Sequence, residues 1–400
     1  MIKREVYLSK IRPFYDADLI KVLVGIRRCG KSVILQQIID ELKKNGVKDN
    51  NIIYLNFELL DYSHIKNETD LFNYVKSQIK NKKKYYLFFD EIQEVENFEK
   101  AISSFKAGLN VSVFVTGSNA KLLSGEFATY LSGRYVQFKI MPFSYLEVKK
   151  LKEKNKQEFN EKTFFDYLKW GGMPQRFIFK NENEIAVYLK DLYDSIILKD
   201  IVQRANIRNV NILNNIVQFM LENIGKTFSG NSIINYLKNE KRQISNEALY
   251  GYLEHIVSSM VFNRVNRYHI KGKKVLSTFE KYYVADLGIK SIKKTEVSPN
   301  LGTSLENIVY NELIVRGYNV YVGNIDGDLE VDFIATKENE KKYFQVTYLL
   351  SDEKVVNREF GVYKNIKDNY QKYVLSLDKI DLSRDGIIHR NVIDFLLEED

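Results

Sequence analysis

Residues 20–32 read IKVLVGIRRCGKS, and no other stretch restricts the fold as much. An apolar run, Ile20 to Val24, stops at Gly25. Gly25, Gly30, Lys31 and Ser32 then fill the pattern G-x-x-x-x-G-K-S, and a helical stretch, VILQQIIDELKK, follows directly. Strand, glycine loop and helix N-terminus together make a phosphate cradle. Glycines let backbone N–H groups converge on an anion, and the helix dipole adds partial positive charge. The expected nucleotide contacts are Gly25, Ile26, Arg27, Arg28, Cys29, Gly30, Lys31, Ser32 and Val33. Lys31 would neutralise the β- and γ-phosphates, and the Ser32 hydroxyl would ligate Mg²⁺.

Four hundred residues exceed what one hydrophobic core usually serves, so two or three domains are expected. At 44% hydrophobic and 28% charged residues the chain reads as a soluble globular protein. No apolar run approaches the roughly 20 residues that span a bilayer. The start, MIKREVYLSKIRP, lacks the apolar core of a signal peptide. A single cysteine allows no internal disulfide, which fits a reducing cytoplasm. A net charge of +8 and a pI near 9.0 permit contact with nucleic acid without establishing it.

Four more apolar segments follow at spacings that suit alternating strands and helices: NIIYLNFE (51–58), YYLFFDE (85–91), VSVFVTGSN (111–119) and RYVQFKI (134–140). Buried parallel strands read as continuous apolar runs, so a doubly wound parallel α/β sheet is expected, with its ligand at the carboxyl ends of the strands. Asp90 ends one such run, where a carboxylate can hold the Mg²⁺ shell. Adjacent Glu91 would polarise the attacking water. At the end of the next run Ser118, with Thr116 and Asn119 as alternates, would contact the γ-phosphate or the water. Arg134 would supply transition-state charge to its own or a neighbour's γ-phosphate, the latter requiring an oligomer; a structural salt bridge is the other reading.

Together, GIRRCGKS, LFFDE, VTGSN, LSGRY and MPFSYLE resemble a family of prokaryotic AAA-type ATPases that carry a C-terminal domain of unknown function. The resemblance runs on through YLKWGGMPQRF and DLYDSIILKDIVQR to the end of the chain. It implies an ATP-binding AAA-like core (residues 1–140), a helical lid or connector (141–207), a winged-helix-like segment (208–295) and a PD-(D/E)xK nuclease-like domain (296–400). Guanine specificity is not expected, since the nearest base-reading tetrapeptide, NKQE at 155–158, ends in Glu outside the sheet region.

The connector opens at Pro142 with Ser144 as a helix N-cap and Glu147 three residues on, and GGMP (171–174) reads as a chain reversal. From 208 onward three amphipathic stretches precede a basic hairpin, the plan of a winged helix. On DNA, Asn246 and Tyr250 would face a groove, and Lys241, Arg242, Arg264, Arg267, Lys271, Lys273 and Lys274 would meet phosphates; Glu247 and Glu254 oppose this. In the last domain Glu306, Asp332 and Gln345-x-Thr347 fall where a metal-dependent nuclease keeps its helix carboxylate, its Asp and its Glu-x-Lys. Gln for a carboxylate weakens a divalent site, and Thr removes the lysine, so a degenerate domain is expected.

The leading expectation is a cytoplasmic Mg²⁺·ATP hydrolase coupling turnover to conformational change, with nucleic acid or a protein as partner and no membrane. A slow nucleotide-dependent switch and an ATP-gated nuclease are the competing readings.

Overall fold

The computed structural model describes residues 2–118, 131, 133–205, 207–293, 301–325 and 329–399, with the backbone alone at 277–279. Two compact units divide the chain: Met1–Met141 with Ser258–Met260, and Pro142–Val257 with Val261–Asp400.

The first unit begins with α1 (Glu5–Ile11) and then alternates: β1 (Ile20–Val24), α2 (Lys31–Lys44), β2 (Ile52–Asn56), α3 (Glu68–Gln78), β3 (Tyr85–Asp90), α4 (Phe98–Gly108), β4 (Val111–Gly117) and β5 (Tyr135–Lys139). The strands pair in the order β2-β3-β4-β1-β5, each pair parallel. The parallel α/β sheet expected from the apolar runs is therefore present. β1, β3 and β4 are buried along their whole length, as a sheet covered on both faces requires. The edge strands β2 and β5 keep partly exposed positions. α2 turns Ile34, Leu35, Ile38, Ile39 and Leu42 inward at helical spacing. From β1 the chain crosses to the far edge at β2, builds back inward through β3 and β4 to the side of β1, and then adds β5 on the other side of β1. The crevice beyond the carboxyl end of β1 is thus a topological switch point, where such sheets bind ligands.

One residue of β1 breaks the apolar run. Lys21 is fully buried, donates to Leu19 O (2.8 Å) and Ser112 Oγ (2.6 Å), and lies 4.5 Å from the centre of the Phe114 ring. Burial pushes its pKa down to about 7.

The second unit opens with α5 (Tyr145–Lys154), α6 (Glu161–Trp170) and α7 (Glu182–Ser195), which runs into a π-helical stretch, Ile196–Gln203. Ser144 and Glu147 form the expected capping box on α5. GGMP does reverse the chain. Gly171 has φ 70°, and a Cβ there would lie 1.9 Å from Asp286 Oδ1, so only glycine fits. Gly172 N donates to Asp286 Oδ2 at 2.6 Å, and Arg176 Nε donates to Gly171 O at 2.6 Å.

Next come α8 (Val210–Glu222), α9 (Gly230–Asn239), α10 (Asn246–Ser258) and the hairpin β6 (Phe262–His269) and β7 (Lys274–Val284). Then follow α11 (Leu287–Ser291), α12 (Leu301–Arg316), β8 (Asn319–Asn324), β9 (Glu330–Lys337), β10 (Glu340–Val346), α13 (Glu353–Gly361), β11 (Gln371–Ser376), β12 (Ile388–Asn391) and α14 (Val392–Leu397). A seven-stranded mixed sheet has the order β12-β11-β10-β9-β8-β6-β7. The hairpin counted with the helices as a free wing is therefore built into the C-terminal sheet, where β6 pairs in parallel with β8. A strand with a half-apolar pattern has two edges to satisfy, and local periodicity names only the hairpin partner.

Candidate functional site

The loop after β1 is held from several directions. A Cβ on Gly25 would lie 2.2 Å from Ile140 O and 2.8 Å from Cys29 Sγ, so the backbone passes where a side chain cannot. Gly30 caps α2 in the left-handed region (φ 103°) without a side-chain cap. Gly25, Ile26 and Cys29 are buried and Arg28, at φ 67°, is exposed; Arg27 is half-buried and pairs with Glu58 at 3.0 Å. From the N-cap of α1, Arg4 reaches the loop. Its Nη1 donates to Cys29 O (2.9 Å) and its Nη2 to Met141 O (3.0 Å), and it is 1% exposed.

Lys31 lies folded onto the loop. Its Nζ donates to Gly25 O (3.0 Å) and Ile26 O (3.4 Å) and pairs with Glu91 Oε1 at 3.3 Å. Burial pulls the ammonium pKa down, but Glu91, Cys29 and Asp90 together outweigh it and the net shift is upward. Ser32 is exposed and Val33 half-buried on the first turn of α2, where helix geometry leaves N–H groups without intrahelical partners.

Asp90 and Glu91 stand at the end of β3. Asp90 is fully buried, accepting from Tyr54 (2.9 Å) and Thr116 (2.5 Å). Thr116 Oγ1 also accepts from Glu91 N at 2.9 Å, so one hydroxyl of β4 spaces the two acidic residues. Glu91 occupies the left-handed region (φ 53°), a strained conformation that surroundings must over-determine. Burial pushes its carboxyl up, yet Lys31, the Gln93 amide, Arg27 and the Ser118 hydroxyl together hold it below the usual glutamate value. Gln93 Nε2 donates to Glu91 Oε2, while Gln93 Oε1 is buried without a hydrogen-bond partner.

The expected site residues thus separate. Lys31, Glu91 and Ser118 are brought together, and Thr116 links Glu91 to Asp90. Asn119 lies outside the described residues. Arg134 is exposed at the start of β5, its carbonyl accepting from Ile20 N (2.9 Å) where β1 begins. In a parallel pair that is the opposite end from the loop, about 15 Å away at 3.3 Å per residue. Arg134 therefore does not meet its own chain's γ-phosphate, which corrects that half of the expectation. Arg4, Tyr54 and Gln93 escaped sequence reasoning, because nothing in their local pattern marks a contact made across the fold.

The donor set fits a magnesium nucleotide. Ser32 and Asp90 offer the hard oxygens that Mg²⁺ takes, beside a cradle from which a Cβ at position 25 is excluded.

In the second unit Glu306, Asp332, Gln345 and Thr347 line one open cavity of about 670 Å³ together with Glu359. Burial and the nearby Glu306 push the Asp332 carboxyl well above its usual value. Its Oδ2 accepts from Val346 N (2.8 Å), and its own N–H donates to Gln345 Oε1 (3.2 Å). Lys281 of β7, absent from the sequence reading of this site, places Nζ 3.3 Å from Glu306 Oε1 and 2.5 Å from Glu330 Oε1. Among the described residues no three His, Cys, Asp or Glu side chains are grouped to hold a metal ion. Of the residues expected to meet DNA, Asn246, Tyr250, Lys241 and Arg242 are exposed, whereas Arg264 pairs with Glu254 of α10. No helix among the described residues is long and apolar enough to cross a membrane.

The parallel sheet and its phosphate loop define an AAA-type P-loop ATPase domain, and the AAA domain family matches residues 17–149. A domain of unknown function, DUF8612, matches residues 161–296. An uncharacterized protein of Haemophilus influenzae is 37% identical over 401 residues, covering 100% of this chain and 99% of that one. The uncharacterized protein MJ1544 of Methanocaldococcus jannaschii is 34% identical over 380 residues, covering 91% of this chain and 81% of that one. The chain belongs to the family these proteins form, an AAA domain followed by a domain of unknown function. Among solved structures, that of Saccharomyces cerevisiae RIF2 aligns at 19% identity over 42% of this chain and 69% of that one, with a TM-score of 0.29.

Proposed function

We propose that the protein is a Mg²⁺-dependent ATPase that turns hydrolysis into conformational change, with nucleic acid as the partner. The observation that carries this is Lys31, whose Nζ pairs with Glu91 at 3.3 Å in the loop between β1 and α2. When ATP binds, Lys31 exchanges the Gly25 and Ile26 carbonyls for the β- and γ-phosphates. Glu91, ionised at neutral pH, is then released to accept the proton of the attacking water. Ser118 orients that water. Ser32 and Asp90 would hold Mg²⁺, which when bound would neutralise phosphate charge. Arg134 serves a neighbouring copy's nucleotide in an oligomer. The basic pI and the exposed Asn246 and Tyr250 on α10 support nucleic acid as partner.

Steady-state ATP turnover, with and without single-stranded DNA, duplex DNA and RNA, tests the proposal against a Lys31→Ala control. Stimulation by one polymer, lost in the control, supports it. Lys31-dependent ATP binding with negligible turnover under every condition replaces it with a nucleotide switch for a protein partner.

A further inference from the structure

The lysines of the β6–β7 turn, read from sequence as a wing, are placed elsewhere by the sheet. Lys341 of β10 lies 5.4 Å from the ring of Tyr268, 4.9 Å from Tyr343 and 5.2 Å from Tyr370. Lys372 of β11 lies 5.8 Å from the Tyr343 ring. Burial, followed by the charges of nearby Lys273 and Lys372, pushes the Lys341 pKa down against the pull of Asp368. Lys341 and Lys372 therefore share one set of tyrosines, and Lys273 is near enough for its charge to act on Lys341.

The balancing charge is small. Asp368 lies 3.8 Å from Lys341 and 3.6 Å from Lys372, and it also accepts from the Tyr343 hydroxyl at 2.5 Å. Glu340, next in sequence to Lys341, is spent on Lys342 (3.2 Å) and Tyr318 (3.1 Å). Alternation sends residues 340 and 342 to the other face of the sheet. Tyr268 has its body packed against the core beneath, and Tyr370 is 46% exposed. Lys273 is exposed on the turn.

Lysines that repel one another gain from a polyanion, and the exposed Tyr370 and half-buried Tyr268 offer ring faces on which unpaired bases stack, while Tyr343 is fully buried. Duplex DNA hides its base faces and has no use for the rings. We propose that this surface, built from Tyr268, Lys273, Lys341, Tyr370 and Lys372, binds single-stranded nucleic acid through phosphate contacts and base stacking. The proposal rests on nucleic acid as the partner and adds a contact surface distinct from Asn246 and Tyr250 of α10, and it does not depend on ATP turnover.

The test is fluorescence anisotropy of a labelled 20-nucleotide oligo(dT) with the full chain, without ATP, across a salt series. The same-length duplex and the Lys31→Ala variant run alongside. Oligo(dT) should bind more tightly than duplex, equally to the parent and Lys31→Ala. Tyr370→Ala should weaken binding between about 5-fold and 150-fold, the range for one stacked base. Lys273→Asn, which keeps a residue tolerant of the left-handed φ of 49° found there, should flatten the salt slope by about 0.7. Circular dichroism checks that both variants keep the fold. No binding at 50 mM salt, equal binding of duplex, or indifference to both substitutions overturns the proposal. Because the assay contains no nucleotide, its failure leaves the ATPase reading standing, and the reverse also holds.

Discussion

Arg4 is the residue whose removal tests most sharply how the phosphate loop is held. Its guanidinium is 1% exposed and donates to Cys29 O at 2.9 Å and Met141 O at 3.0 Å, with the Tyr7 ring 4.7 Å away. The Arg4 backbone N–H donates to Gln37 Oε1 of α2 at 3.0 Å, so the segment is anchored independently of the side chain. Arg4→Met keeps much of the stem volume and removes the fork. Hydrogen bonds to charged groups contribute about 1.5–3 kcal/mol each, while the variant escapes the cost of burying a guanidinium. The net loss should be about 2–4 kcal/mol, a fall in melting temperature of roughly 5–15 °C for a unit of this size. Differential scanning calorimetry measures this directly. At a temperature well below both transitions, ATP affinity should also fall by about 3- to 10-fold, since up to about 1.4 kcal/mol of loop ordering must now come from binding. Arg4→Lys, with one donor group in place of a fork, should fall between. A variant that melts within about 1 °C of the parent and binds ATP equally well would refute the reasoning.

Three other substitutions probe separate parts of the account. Lys21 has its pKa pushed down by burial to about 7, against 10.5 for an ordinary lysine. Between those values the unfolded chain holds more protons, so stability should rise with pH by up to about 1.4 kcal/mol per unit, and Lys21→Met should abolish that slope in urea titrations. Gly25→Ala puts a Cβ 2.2 Å from Ile140 O, so urea denaturation should show a loss of about 1–3 kcal/mol and ATP binding should fall with it. Lys281 is 5% exposed between Glu306 and Glu330, and Lys281→Met leaves both carboxylates unpaired. The expected cost is about 3–5 kcal/mol at pH 7, shrinking as the pH falls and the carboxylates take up protons, with partial recovery on adding Glu306→Gln.

The nucleotide unit was legible because its information is local. Ile20 to Val24, Gly25 and Lys31 announce strand, loop and helix in consecutive residues, and Asp90 ends an apolar run that burial explains. Arg4 was illegible: an arginine in MIKREVYL looks like any solvated charge until it is seen to reach the loop. Arg134 left its own-chain and neighbour readings open for a related reason. Its neighbour in sequence, Tyr135, begins a strand whose direction, parallel to β1, decides which end of the sheet it occupies. The hairpin at 262–284 was legible as a hairpin, but its second edge pairs with residues more than fifty positions later in the chain. Lys281 carries no local signal within FEKYYV and is the ammonium between two carboxylates, Glu306 and Glu330.

Single-turnover hydrolysis by Glu91→Gln tests the central claim most directly. Glutamine keeps the shape beside Lys31 and removes the base. The variant should bind Mg²⁺·ATP as tightly as the parent, or more tightly, while cleavage falls at least about 100-fold and ATP is recovered intact from the complex. Parent-like cleavage by Glu91→Gln, in a preparation where Lys31→Ala neither binds nor cleaves, would contradict the account and move the catalytic base elsewhere.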